Sequence, residues 1–163
     1  MLSLTNTAHR HEAAILVHLE RLPALADMVV EGPTEAFQER FDEECRFITG
    51  QLVPHVQAVE AALYPELERL MENVHSLVPM RHEHRELSRL MGSLCRYRAD
   101  MEEGHLGLAE QTGLRRALYR LYAILKVHLA EEELFIGVLD HNLPDERKDA
   151  LAHAMSHATS EPL

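Results

Sequence analysis

The sequence predicts an all-α protein: an antiparallel up-down-up-down four-helix bundle with a short C-terminal fifth helix. Three observations predict it. Leu, Ala, Glu and Arg dominate, whereas only 7 glycines and 7 prolines occur in 163 residues, the balance of a helical chain. Apolar residues recur three and four positions apart over long stretches, the period of a helix with one buried face. The stretches are separated by short Gly- or Pro-bearing segments, and short connections between long amphipathic helices favour antiparallel neighbours.

The first helix is expected from about Thr7 to Val30, ending at Glu31-Gly32-Pro33 and bent at Pro23. Its inward stripe reads Leu4, Ala8, His11, Ile15, His18, Leu22, Leu25, Val29. Thr34 can cap the second helix, with Glu35 in its first turn. There the stripe is Phe37, Phe41, Cys45, Ile48, Leu52, His55, Val59, Leu63, Leu70, interrupted by Pro54 and Pro65, each of which removes a backbone hydrogen bond and predicts a kink. The third helix opens at Ser76–Pro79 and stops at Glu103-Gly104, with Met80, His84, Leu87, Met91, Leu94 and Met101 inside and His82 on the solvent side. The fourth begins at Leu108 or Gly113 and ends near Asn142, carrying Leu114, Leu118, Leu121, Leu125, His128, Glu132, Phe135 and Leu139 as one stripe. Pro144 suits the first turn of the fifth helix, about 144–157. The core bundle thus covers about 7–142 of a single domain.

A formal net charge of −11 argues against nucleic acid or anionic membrane as partner, since both demand a basic face. The N-terminus lacks the basic start and apolar run of a signal peptide, and no apolar stretch is long enough for a bilayer, so a cytoplasmic protein is expected. Two cysteines make no disulfide framework. The twelve histidines are the unusual feature.

Each of the four helices carries an inward histidine: His11, His55, His84 and His128. In antiparallel neighbours, residues at one height are equidistant from the connecting turn. The midpoint of His11 and His55 is Pro33, and that of His84 and His128 falls between Gly104 and Gly107; both pairs are separated by 44 residues. His18 misses this level by seven residues, roughly 10 Å along the axis. Glu132, one turn beyond His128, adds a carboxylate to the same layer. Four imidazoles and a carboxylate in a dry layer leave donors and acceptors unpaired unless a cation satisfies them. Imidazole with carboxylate suits iron, zinc or manganese, and the lack of thiolates speaks against a closed structural zinc site.

This arrangement resembles the hemerythrin-like, HHE cation-binding family. The resemblance covers roughly His9 to Asp140 and rests on His11, HVQAVEAALYPELERL with His55, MRHEHREL with His84, and LYAILKVHLAEEE with His128 and Glu132. It implies a four-helix bundle holding a non-haem iron centre, with di-iron favoured over a single ion. The family carries His-x-x-x-Glu on both the second and the fourth helix. Here the fourth conforms, but Val59 stands where the second bridging glutamate belongs. Glu60 follows, about 140° off the metal face on an ideal helix; a π-type bulge between Pro54 and Pro65 would bring it into line as a sixth ligand. The resemblance further implies a small diatomic or peroxide ligand: oxygen binding or sensing, handling of peroxide or nitric oxide, or iron homeostasis. Any enzymatic activity would be that of an oxidoreductase on such molecules. A different class is a degenerate member with a mononuclear or empty site, acting as a structural or regulatory interaction module. On either reading a monomer or homodimer is expected. Glu72/His75 and Glu102/His105 have ferritin-like spacing but fall at opposite ends of the bundle. Cys45 and Cys95 are read as two unrelated thiols near one end, and no nucleophile triad or phosphate loop is visible.

Overall fold

A computed structural model describes the protein over residues 4–158, apart from the side chains of Thr7, His11, His157 and Ala158. Among the described residues there is no strand, and no helix is long and apolar enough to cross a membrane. The expected first helix is two: α1 (Leu4–Leu19) and α2 (Leu22–Met28), the second running into a single 3-10 turn, Val29–Glu31. Pro23 sits in the first turn of α2, where its missing N–H costs nothing, so the chain breaks just ahead of it. Gly32 then takes φ 90°, a left-handed conformation that ends the rod.

The second rod starts at α3 (Glu35–Phe47), capped by Thr34, whose hydroxyl accepts from the Phe37 N–H at 3.2 Å. It continues through a π turn (Ile48–Leu52), α4 (Val53–Ala58), a second π turn (Val59–Leu63) and α5 (Tyr64–Leu70). Each π turn ends two residues before a proline, Pro54 or Pro65. A proline ring collides with the carbonyl four residues back, and widening that turn relieves the collision without ending the helix. The kinks expected from the prolines therefore take the form of bulges, one of them at Val59–Glu60. The third and fourth rods are unbroken: α6 (Val78–Glu102) and α7 (Leu108–Asn142), followed by α8 (Asp145–Ala158).

Pairs touching between rods include His18–Glu44, Asp42–Arg98, Glu68–Arg81, Asp27–Arg115, Arg120–Glu86 and His84–His128. The apolar interior forms two separate blocks. One contains Ile15, Leu19, Leu52, Leu87, Leu125 and Leu129; the other Leu4, Ala8, Val59, Leu63, Met80 and Ile136, closed over by Leu151, Ala152 and Met155 of α8. In each rod the switch from one block to the other falls at the same place: between Ala8 and Ile15, Leu52 and Val59, Met80 and Leu87, and Leu129 and Ile136. The α7 stripe keeps its expected line at Glu132 and Leu139 but changes between them. Ile136, not Phe135, is buried there, and Phe135 packs half-buried beside it, since residues three and four beyond Glu132 both border the inward face.

Candidate metal centre

The gap between the apolar blocks is filled by polar side chains. His55, His84, His128 and Glu132 are all buried, Glu132 to 1 % exposure. His84 Nε2 and His128 Nε2 face each other at 2.9 Å, His55 Nε2 lies 3.4 Å from Glu132 Oε2, and His128 Nε2 lies 3.7 Å from the same oxygen. Four ligand-type atoms from three rods are thus linked in one buried chain of contacts. The Tyr64 hydroxyl, brought in by α5, stands 3.2 Å from His84 Nε2, with its ring stacked on the imidazole.

The far sides of two rings are fixed by carboxylates. His84 Nδ1 lies 2.9 Å from Glu60 Oε1, and His128 Nδ1 lies 2.9 Å from Glu83 Oε2. A carboxylate only accepts, so each Nδ1 donates and each neutral ring turns a lone pair on Nε2 inward. Two lone pairs pointing at each other across 2.9 Å repel unless a positive charge lies between them. Protonating His84 is disfavoured: burial, and then His128, push it down to about 4. Burial alone would push Glu132 up, but His55, His128 and His84 bring it below its ordinary value. Burial likewise opposes charge on His55, yet Glu132 holds it above its ordinary range.

Two buried atoms of these side chains make no hydrogen bond: His55 Nδ1 and Glu132 Oε1. Orphaned polar atoms are costly in a packed interior, so the donors and acceptors of this layer do not satisfy one another by themselves.

His11 lies on α1, with its side chain outside the described residues. Glu60 is carried by the second π turn, and its carboxylate goes to His84 Nδ1 on the outer side of the ring, with 39 % of the side chain exposed. The bulge is present; the carboxylate it turns meets a histidine's back rather than the buried chain of contacts. Val59 is fully buried among Leu63, Tyr64 and Ala8. His18 lies in the wall between α1 and α3, its Nδ1 2.9 Å from Glu44 and its ring stacked 3.8 Å from Phe47. His82 is exposed, as its helical face requires. Cys45 and Cys95 are both free, and burial pushes the Cys45 thiol up to about 12.

Sequence reasoning passed over Glu12, Glu83 and Tyr64 as site residues. Glu12 had a usable signal: Ala8, Glu12, Ile15 and Leu19 are spaced four, three and four apart, so a carboxylate stands in an apolar line there too.

An all-helical molecule with a buried histidine–carboxylate cage belongs to the class of helical metal-binding proteins. The chain is a member of the hemerythrin HHE cation binding domain family, whose model matches residues 4–139. Comparison with curated proteins and with solved structures returns no match.

Proposed function

We propose that this chain is a hemerythrin-like protein holding non-haem iron, with His55, His84, His128 and Glu132 as ligands and His11 joining them from α1. The rods would stand as an up-down-up-down antiparallel bundle within one domain, with α8 covering the end that holds the second apolar block. The observation that carries the reading is the approach of His84 Nε2 and His128 Nε2 to 2.9 Å, each ring with a carboxylate 2.9 Å behind its Nδ1. Such outer partners set the tautomer and orientation of metal-binding imidazoles. Glu60, on this reading, positions His84 and does not itself bind the ion.

The donor set fits iron: three imidazoles and a carboxylate, no thiolate, in a dry layer. Bound there, iron would supply an open, redox-active position for a small diatomic or peroxide. The protein's own part is distinct. Glu60 and Glu83 keep the Nδ1 protons of His84 and His128, so both Nε2 atoms remain available. Burial pushes the Tyr64 phenol well above its ordinary value, so it stays protonated and can donate a hydrogen bond into the cage. The leucines above and below exclude bulk water.

A second reading, one ion rather than two, is favoured by Val59, whose buried methyl groups stand where the resemblance leads one to expect a second bridging carboxylate. Anaerobic loading with ferrous iron, followed by metal analysis and absorption spectra before and after exposure to oxygen, tests both. About two irons per chain supports the di-iron form and about one the mononuclear form. A figure well below one rejects the iron proposal and leaves a metal-free interaction module.

A further inference from the structure

Beside the cage, on the seam between α1 and α7, lies a second group of ligand-type atoms. One atom each from His9, Glu12 and Glu133 falls within 4.8 Å of the others. His9 and Glu133 are exposed and face each other, with Nε2 3.5 Å from Oε1. By itself that is a surface ion pair worth about 0–1 kcal/mol. Glu12 makes it something else. Glu12 is only 8 % exposed, one of its carboxylate oxygens lies within 4.8 Å of the ligand atoms of His9 and Glu133, and its Oε1 has no hydrogen-bond partner. A lone surface pair does not account for a buried carboxylate with an unpaired oxygen placed against it.

We propose that His9, Glu12 and Glu133 form an outer divalent-cation site, separate from the buried cage and open to solvent on one side. One imidazole and two carboxylates neutralise a 2+ ion and suit zinc, manganese or ferrous iron. Atoms within 4.8 Å of one another close onto bonds of about 2.0–2.2 Å through small rotations of the two exposed side chains. Water completes the coordination, so the ion exchanges readily. The site stands on its own residues and does not require the inner cage to be filled.

The test is calorimetric titration of the chelator-stripped full chain with zinc chloride at pH 8, where imidazoles are neutral. His9→Ala and Glu133→Gln alter exposed positions, and both variants are expected to fold, as circular dichroism checks. Each should lose one zinc equivalent, or bind it at least about tenfold more weakly, which is ~1.4 kcal/mol. His141→Ala, an exposed histidine elsewhere on α7, should titrate as the unmodified chain does. His128→Ala, in the cage, should keep the outer equivalent. If His9→Ala and Glu133→Gln take up zinc like the parent, the outer site is refuted, whatever the cage does. If only His128→Ala loses zinc, the cage stands and the outer site falls.

Discussion

Removing the charge from Glu12 provides a quantitative test of the polar layer. In the metal-free protein, burial first, and then the nearby carboxylates of Glu132 and Glu133, push the Glu12 carboxyl from its ordinary 4.5 up to about 7. A pKa raised in the folded state means that folding favours the neutral form. The associated stability is fully present below about pH 4.5 and is lost as pH rises through about 7. At ~1.4 kcal/mol per unit the upper limit is ~3 kcal/mol. Solvent reaching the α1–α7 seam reduces this to about 2 kcal/mol. Glu12→Gln keeps the shape and cannot ionise. The stability difference between the chelator-treated parent and Glu12→Gln, from urea unfolding, should therefore change by about 2 kcal/mol between pH 4.5 and pH 8, in favour of the variant at high pH. Zinc or iron should abolish that advantage, since a cation stabilises the ionised carboxylate it binds. Parallel stability–pH curves for the two metal-free proteins would refute the reasoning, because Glu12 would then ionise as freely folded as unfolded.

His18→Ala removes the hydrogen bond to the buried Glu44 carboxylate, leaving it Arg21 at 3.8 Å, and removes the Phe47 stack, so it should cost about 1–2 kcal/mol in denaturant unfolding while leaving iron content unchanged. Val59→Glu places a carboxylate in a fully buried apolar position and should destabilise the metal-free protein by about 3 kcal/mol. Thermal unfolding with and without ferrous iron reads whether metal recovers part of that loss. Gly137→Ala lies inside α7 with open space around the new methyl group and should stabilise by about 0.5–1 kcal/mol. Gly113→Ala in the same helix would drive its methyl group into the Tyr97 hydroxyl, and thermal melts should rank it below Gly137→Ala.

His128 and Glu132 could be read from sequence because polar residues inside a leucine stripe contradict the period around them, and burial is what gives that contradiction meaning. The same logic reached His55 and His84. It stopped at Glu60 and Glu83, because the atom on the far side of an imidazole depends on how two rods are rotated against each other, which no single-helix pattern encodes. Pro54 and Pro65 announced irregularities, and the bulge between them was legible as a possibility. Its outcome for Glu60 was not, since a π turn alters both direction and exposure. The break before Pro23 and the choice of Ile136 over Phe135 have simpler origins: a proline tolerated best in a first turn, and a helical period that places residues three and four apart on nearly the same face.

The level at which both apolar blocks are interrupted also governs how the rods can be assembled. Between uniform leucine faces, one helix can slide past another by a turn, about 5.4 Å, at little cost. Here the same slip would press an imidazole or a carboxylate against leucines and leave its former neighbours unmatched. The polar plane is therefore a vernier: it sacrifices some hydrophobic burial and in return permits only one vertical alignment of the helices.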